Sequence, residues 1–138
     1  MGIPLIALLA LAVSCGGGHS KKIQYGQTTE ASLLEIEGEP ESVQALKHAD
    51  GKMLIYKQDK KFQVESGVVV SSFTDPVEDQ KTLLFWKHKF KDCLTTDVKT
   101  SGEADAKERT LSCDEQGTSV IYSEGTGFVL RVVEHAKK

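Results

Sequence analysis

IQYGQTTEASLLEIEGEP, residues 23–40, contains the signals of one short helix with both ends marked. We predict that Thr28 caps the first turn and that Glu30 lies where the helix dipole favours an acid. Gly38 permits the left-handed backbone that ends a helix, and Pro40 prevents its continuation. Apolar side chains with helical spacing lie between these ends: Ala31, Leu33, Leu34 and Ile36. A helix of about ten residues is marginal in water, so it must pack against another element.

Beyond Pro40 the apolar period changes to two, which favours strands. Residues 41–49 are predicted as a strand, with a helix as the alternative. Asp50-Gly51 then predicts a tight hairpin turn into a strand that contains Tyr56. Glu65-Ser66-Gly67 predicts a second hairpin, and the valines of residues 68–70 indicate that its second strand is central in the sheet.

This arrangement resembles the core motif of the SmpA/OmlA (BamE-like) family of small outer-membrane lipoproteins. The resemblance covers residues 23–73 and implies structural roles for five positions: Gly26, Thr28, Gly38, Pro40 and Tyr56. It implies a helix packed on a small antiparallel sheet, and a protein partner in the bacterial envelope, in outer-membrane assembly or integrity. The chain departs from the family's pattern because residues 16–22 leave no room for an earlier helix.

A second helix is predicted after Thr74. Asp75 is suited to cap it, with Pro76 at its first position and Glu78 closing a capping box. Four residues then recur at helical spacing: Leu83, Trp86, Phe90 and Cys93. Because Leu84, Trp86 and Phe90 would also line one face of a strand, residues 80–92 keep a strand as the alternative.

The C-terminal part is predicted as a surface loop followed by a meander of three strands. Residues 95–107 are polar and predict the loop, while residues 109–113, 118–122 and 128–133 are strand-like. Residues 23–138 are therefore predicted to form a single α+β domain, with 23–73 as the motif region and 74–138 as a helix plus a meander with a cysteine pair. We expect one short helix and a second helix packed on an antiparallel sheet of hairpins, in a two-layer, BLIP/BamE-like architecture.

The N-terminal segment indicates export. Its apolar run, residues 3–13, is too short to cross a bilayer and is typical of a signal peptide. LAVSC, ending at Cys15, resembles the bacterial lipobox. The resemblance implies removal of residues 1–14 and lipid modification (palmitate) of Cys15. The small, polar residues that follow predict a flexible tether over residues 15–22. The alternative is an ordinary signal peptide with an incidental cysteine. No Lys or Arg precedes the apolar run.

Gly16, directly after Cys15, is consistent with an outer-membrane, periplasm-facing location by analogy with enteric sorting, with the inner membrane and the cell surface as the alternatives. An exported chain meets an oxidising compartment, so Cys93 and Cys113 are predicted to form a disulfide that closes a loop of about 20 residues. Two free buried thiols, or half of a metal site, are the alternatives.

No catalytic constellation, metal site or cofactor motif is predicted. The four histidines are scattered along the chain, and the net charge of −3 argues against nucleic acid as a partner. We therefore predict a non-catalytic, membrane-anchored interaction domain without a small-molecule substrate. A periplasmic binding or enzyme-inhibitor module that uses its sheet face is the alternative. Phe85 and Trp86 are the interface candidates, although core packing is the usual role of such a tryptophan.

Overall fold

The computed structural model describes residues 22–47, 50–57, 59–99 and 107–138. Cys15 and the predicted signal peptide lie outside these residues. The helices are α1 (Glu30–Glu37) and α2 (Leu83–Lys89), and short 3₁₀ turns occupy Glu78–Gln80 and Asp114–Gln116. The strands are β1 (Ser42–Ala45), β2 (Gly51–Ile55), β3 (Lys61–Glu65), β4 (Val68–Thr74), β5 (Thr95–Lys99), β6 (Glu108–Cys113), β7 (Thr118–Ser123) and β8 (Val129–His135).

All eight strands form one antiparallel sheet in the order β1-β2-β3-β4-β8-β7-β6-β5. Each set of four consecutive strands pairs with its sequence neighbours, as hairpin-connected strands do. The two sets are joined in the middle of the sheet by the pairing of β4 with β8. The strand with the valine run, β4, is therefore central, as predicted, and β1 and β5 are the two edges.

The described residues form two hydrophobic clusters, one beneath each helix. Leu33 of α1 packs over β2, β3 and β4, and Trp86 and Phe90 pack over β6, β7 and β8. Phe62 of the first cluster pairs with Ser72, which pairs in turn with Glu134. Val132 of the second cluster lies two residues before Glu134. Since paired residues share a face and side chains alternate along a strand, both helices lie on the same face of the sheet.

The chain contains an internal structural repeat, in which one helix and four strands occur twice. We call α1 with β1–β4 unit 1, and α2 with β5–β8 unit 2. In each unit the residues at the helix start bond to the beginning of the last strand. The equivalent bonds are Glu30 N to Gly67 O (2.9 Å) and Val69 N to Thr28 O (2.8 Å) in unit 1, and Leu83 N to Gly127 O (3.0 Å) and Val129 N to Lys81 O (2.8 Å) in unit 2. Residues of α1 and α2 thus correspond at an offset of 53 (Thr29 to Thr82), and those of β4 and β8 at an offset of 60 (Gly67 to Gly127).

The repeat extends to an irregularity of the sheet. The last strand of each unit carries one extra residue at the equivalent place, Val70 in β4 and Leu130 in β8. Phe73 and Val133 are also equivalent at the offset of 60, and they pair with each other across the central strands. A pseudo-two-fold axis therefore passes between these two residues.

The predicted BLIP/BamE-like two-layer α+β fold is wrong. Strands dominate the described residues, and the two helices span only eight and seven residues beside a continuous eight-stranded sheet. Part of the error is β5, which was predicted as a loop. Its residues are all exposed, because it is an edge strand with no buried side chain to produce an alternating pattern. The joining of both hairpin sets through β4 and β8 also has no local sequence signal.

Both predicted helix caps are misplaced. Thr29, not Thr28, caps α1, because its hydroxyl accepts from the Ser32 amide. Thr82 rather than Asp75 caps α2, where its hydroxyl accepts from the Phe85 amide at 3.4 Å. The capping signal at Asp75 and Glu78 leads only into a 3₁₀ turn. The choice of helix over strand within residues 80–92 is confirmed.

Both predicted hairpins are present, but the first does not have the tight Asp50-Gly51 turn that was predicted for it. Ser66 and Gly67 both have positive φ and form a tight two-residue turn between β3 and β4. In the first hairpin, Gly51 has no positive φ and opens β2, while the Leu46 amide donates to the Gly51 carbonyl oxygen at 3.0 Å. The strand interpretation of residues 42–45 is confirmed, and the Asp50-Gly51 tight turn is wrong.

The predicted disulfide is present between Cys93 and Cys113. Cys113 is the last residue of β6 and is fully buried, and Cys93 lies on the connection from α2 to β5. The bond therefore joins the end of the helix to the sheet inside unit 2. The three predicted meander strands are also confirmed as β6, β7 and β8.

Candidate interaction surfaces

The face of the sheet opposite the helices carries no covering element among the described residues. We call it the open face. Phe73 and Val133 lie at its centre, on the pseudo-two-fold axis, and both are partly exposed. Other partly exposed apolar residues continue this centre toward both edges: Met53, Ile55 and Ile121. Alternation predicts this arrangement, because Ser72 and Val132, adjacent to Phe73 and Val133 along their strands, face the helices.

Polar side chains surround this apolar centre and are bonded to one another. The Ser71 hydroxyl donates to Gln63 Oε1 (3.4 Å), and Gln63 Nε2 donates to Glu65 Oε1 (2.8 Å). On the other side of the axis, Ser119 Oγ lies 2.9 Å from His135 Nε2 and 2.8 Å from Ser112 Oγ. An apolar centre with a polar rim of this kind is the usual anatomy of a protein–protein interface.

One rim of the open face carries two acids and two bases. A pocket of about 250 Å³ is lined by Met53, Phe73 and four charged residues: Asp59, Lys61, Asp75 and Arg131. Desolvation and the neighbouring Asp59 carboxyl raise the pKa of Asp75, while Arg131 and Lys61 act in the opposite direction. Two mutually close carboxyl groups beside two cations present both signs of charge to a partner.

On the helix face, residues 22–28 cross the middle of the sheet between the two helices. The Gly26 amide donates to the Val69 carbonyl oxygen at 2.8 Å. The Tyr25 hydroxyl lies 2.7 Å from Ser72 Oγ and donates to Glu134 Oε2 at 3.0 Å. Because Ser72 belongs to β4 and Glu134 to β8, this single phenol connects the two units. Burial, opposed by the bond from Ser72 and reinforced by Glu134, raises the pKa of Tyr25 to about 12.

The five motif residues cluster around the two ends of α1. Gly26 has a φ of 85° and bonds to β4, and Thr28 Oγ1 accepts from the Gln24 amide at 2.8 Å. At the other end, Gly38 has a φ of 83° and its carbonyl oxygen accepts from the Tyr56 hydroxyl at 2.9 Å. Pro40 lies two residues before β1. These contacts support structural roles for Gly26, Thr28, Gly38 and Tyr56.

The two predicted interface residues differ in position. Trp86 is only 2% exposed, and its Nε1 donates to the Gln80 carbonyl oxygen at 2.7 Å, so it is a core residue and not an interface residue. Phe85 is partly exposed and packs edge-on against Trp86 with ring centroids 5.4 Å apart. The neighbouring Leu84 is much more exposed, at 77%, and sequence reasoning missed it.

No group of three or more His, Cys, Asp or Glu residues suited to a metal ion occurs in the described part of the chain. Within the same residues, no helix is long and apolar enough to cross a membrane.

No protein-family profile matches this chain, and no curated protein sequence matches it. A crystal structure of an extracellular protein containing an SCP domain, from Bacillus anthracis str. Ames, is similar to it with a TM-score of 0.55 and 14% sequence identity. The match covers 83% of this chain but only 44% of that chain. At this identity the likeness shows the fold alone, and it is a likeness to a protein described by its SCP domain rather than to a BamE-like lipoprotein.

Proposed function

We propose that this chain is a non-catalytic interaction domain of the bacterial envelope, anchored to the outer membrane through a lipid on Cys15. In this proposal the open face binds a protein partner. The observation that carries it is the uncovered apolar centre around Phe73 and Val133, ringed by polar side chains that are bonded to each other. Apolar side chains left partly exposed at the middle of a sheet are typical of a surface that a partner covers.

The anchor is supported by the lipobox-like LAVSC and by the small, polar residues 16–22. An anchored domain works at high local concentration, so a weak contact with another envelope protein is effective. The fold does not support the BamE-like resemblance, so a partner in outer-membrane assembly or integrity is proposed only from the sequence motif of residues 23–73.

A released binding or inhibitory module is the second candidate, since the open face needs no membrane to bind a partner. The two candidates separate on one variant. Cys15→Ser removes the lipid acceptor, so it abolishes function if anchoring is required and preserves it if a released module suffices.

The open face is tested by photo-crosslinking in cells. Phe73→p-benzoylphenylalanine places the probe at the centre of the face, and His88→p-benzoylphenylalanine places a matched probe on the opposite, helix side. We expect a discrete protein adduct from position 73 and none from position 88. Equal protein adducts from both positions, or none from position 73, would contradict the proposal.

A further inference from the structure

The two units are built alike but do not expose the same side chains. Among the described residues, seven large hydrophobic side chains are exposed, and only Val43 belongs to unit 1. The other six lie in the second half of the chain: Val77, Leu84, Leu94, Val98, Phe128 and Leu130. The offset of 53 places Ala31 where unit 2 has Leu84, and the registers of β1 and β5 place Pro40 where unit 2 has Leu94. Since both units fold in the same way, folding does not require these exposed leucines.

The helices also differ in charge. Residues 30–41 contain five glutamates and no Lys or Arg, whereas the equivalent residues 83–94 contain three lysines and one aspartate. The formal charge of the two segments is therefore −5 and +2 with histidine neutral. Two of the glutamates are paired, Glu30 with Lys52 and Glu37 with Lys60.

On α2 the cations and the exposed leucine share the outer side of the helix. Trp86 and Phe90 point into the core, so at 100° per residue Leu84 and His88 point away from it. Lys87 and Lys89 lie on the two flanks between these directions, and both are exposed. Lys89 Nζ also lies 5.0 Å from the Trp86 ring centroid, which orients it beside the helix.

The apolar side chains extend this surface at both ends of α2. At its start, Phe128 is 58% exposed and pairs with the helix cap Thr82. Beyond its end, Lys91 is exposed and Leu94 is 86% exposed. The acids nearby are Glu78, Asp79, Asp92 and Asp97, of which Glu78 pairs with Lys81 and Asp97 with Arg109.

We propose that this surface, which we call the α2 surface (Leu84, Lys87, Lys89, Lys91, Leu94 and Phe128), docks onto an anionic lipid bilayer. Lysines attract anionic headgroups, and exposed leucine and phenylalanine side chains enter the headgroup region. A contact of this chemistry requires a negatively charged, partly apolar partner, and a bilayer supplies both properties over a flat area. The anionic headgroups repel the acidic segment of unit 1, residues 30–41, so unit 2 is the part of the domain that contacts the bilayer.

The position of the chain entry agrees with this orientation. Residues 22–28, which are the first described residues and include Tyr25, cross the face of the sheet on which α2 lies. The open face points the other way. A domain resting on its α2 surface therefore keeps Phe73 and Val133 turned away from the bilayer and available to a partner. The docking is compatible with the proposed lipid anchor but does not need it.

The test uses residues 15–138, the proposed mature chain and the part that contains every described residue, carrying Cys15→Ser, so that neither the apolar run of residues 3–13 nor a lipid on the protein contributes. Co-sedimentation with vesicles of phosphatidylcholine alone is compared with vesicles of equal parts phosphatidylcholine and phosphatidylglycerol. We expect binding to the anionic vesicles that weakens as salt is added, and at least about tenfold weaker binding to the neutral ones. Absence of binding to anionic vesicles, or equal binding to both kinds, would overturn the proposal.

Variants then locate the surface. Lys87→Glu with Lys91→Glu is expected to weaken vesicle binding at least about tenfold, because each lysine near the surface adds its own attraction to the anionic headgroups. Lys47→Glu with Lys57→Glu makes the same charge change on exposed lysines of unit 1 and should have a much smaller effect.

Leu84→Ser with Leu94→Ser should weaken binding without altering its salt dependence. Equal losses from the two lysine pairs would refute the α2 surface, and unchanged binding of the leucine variant would refute apolar insertion. Because the tested proteins lack the lipid, a negative result in the vesicle assay overturns the α2 surface alone. It does not bear on the proposed anchor or on the crosslinking test of the open face.

Discussion

The hydroxyl of Tyr56 donates to the carbonyl oxygen of Gly38 at 2.9 Å. In the internal repeat, Tyr56 at the end of β2 corresponds to Cys113 at the end of β6, by the strand registers of the two units. Gly38 and Cys93 lie on the equivalent connections that follow the two helices. One hydrogen bond in unit 1 therefore occupies the place of the disulfide in unit 2.

Tyr56→Phe removes this hydrogen bond and keeps the ring against Phe62, where the centroids are 5.7 Å apart. We expect a loss of about 1 kcal/mol in the free energy of unfolding, the usual net value of a partly buried hydrogen bond. Urea unfolding measures it. An unchanged midpoint would mean that the bond does not hold α1 to the sheet.

Cys93→Ser with Cys113→Ser removes the covalent link across a loop of sequence separation 20. The chain-entropy relation predicts a loss of about 3 kcal/mol, larger than the Tyr56→Phe effect. Amide hydrogen exchange should accelerate first in α2 and β6, with β2 and β3 affected least. Uniform acceleration across both units would contradict a role confined to unit 2.

Gly117→Ala is expected to be more destabilising than Gly67→Ala, although both glycines have positive φ. A Cβ at Gly117 would meet the His135 carbonyl oxygen at 2.5 Å, whereas nothing lies within 4 Å at Gly67. The left-handed backbone alone costs roughly 1–2 kcal/mol for a residue other than glycine, so Gly67→Ala should lose about that much and Gly117→Ala more. Equal losses in thermal unfolding would show that β8 moves aside freely.

Asp97 should make stability fall in acid. Desolvation opposes ionisation, but bonds from Tyr122 (2.7 Å) and Arg109 (2.9 Å) prevail and lower the pKa of Asp97 below its usual 3.8. A depressed carboxyl pKa stabilises the fold above the unfolded value, and this contribution is lost as the pH falls through the folded value. Asp97→Asn should therefore be less stable at neutral pH and approach the unaltered chain as the pH falls through the lowered pKa of Asp97. A difference that stays constant with pH would contradict the pairing.

Tyr25 should give a loss of stability in alkali. Its pKa is raised from 10.0 to about 12, so its contribution is complete below the unfolded value and declines as the pH rises through the folded one. Tyr25→Phe should flatten the alkaline limb of the stability curve, and absorbance at the phenolate band should show one fewer tyrosine titrating late. An unchanged alkaline limb would mean that the phenol bridging Ser72 and Glu134 is exposed to solvent.

Sequence reasoning succeeded where one stretch carried the signal. The β3–β4 hairpin was predicted from Ser66-Gly67 and the adjacent valines, and α2 from the spacing of Trp86 and Phe90. The disulfide was predicted from two cysteines in a chain that we expect to be exported. In each case the residues that determine the element are close in sequence or chemically distinctive.

It failed where the determinant is another part of the chain. β5 has no apolar alternation, and only its pairing with β6 makes it a strand. The helices start after Thr29 and Thr82 because the amides of the next residues, Glu30 and Leu83, donate to the carbonyl oxygens of Gly67 and Gly127. The open face depends on the pairing of Phe73 with Val133, 60 residues apart (133 minus 73), which no local pattern predicts. The repeat is hidden because few side chains are shared between the units.

The central pairing also affects how the chain reaches its native state. Synthesis proceeds from the N-terminus, so β1 to β4 are available long before β8, which begins 55 residues after the end of β4 (129 minus 74). Until then β4 pairs with β3 on one side only, and its other side is an open sheet edge. Its sequence is valine-rich and hydrophobic, the kind of segment that associates with other chains. A nascent or C-terminally truncated chain is therefore expected to be prone to aggregation at β4, and any factor that protects it must act before synthesis of the last strand is complete.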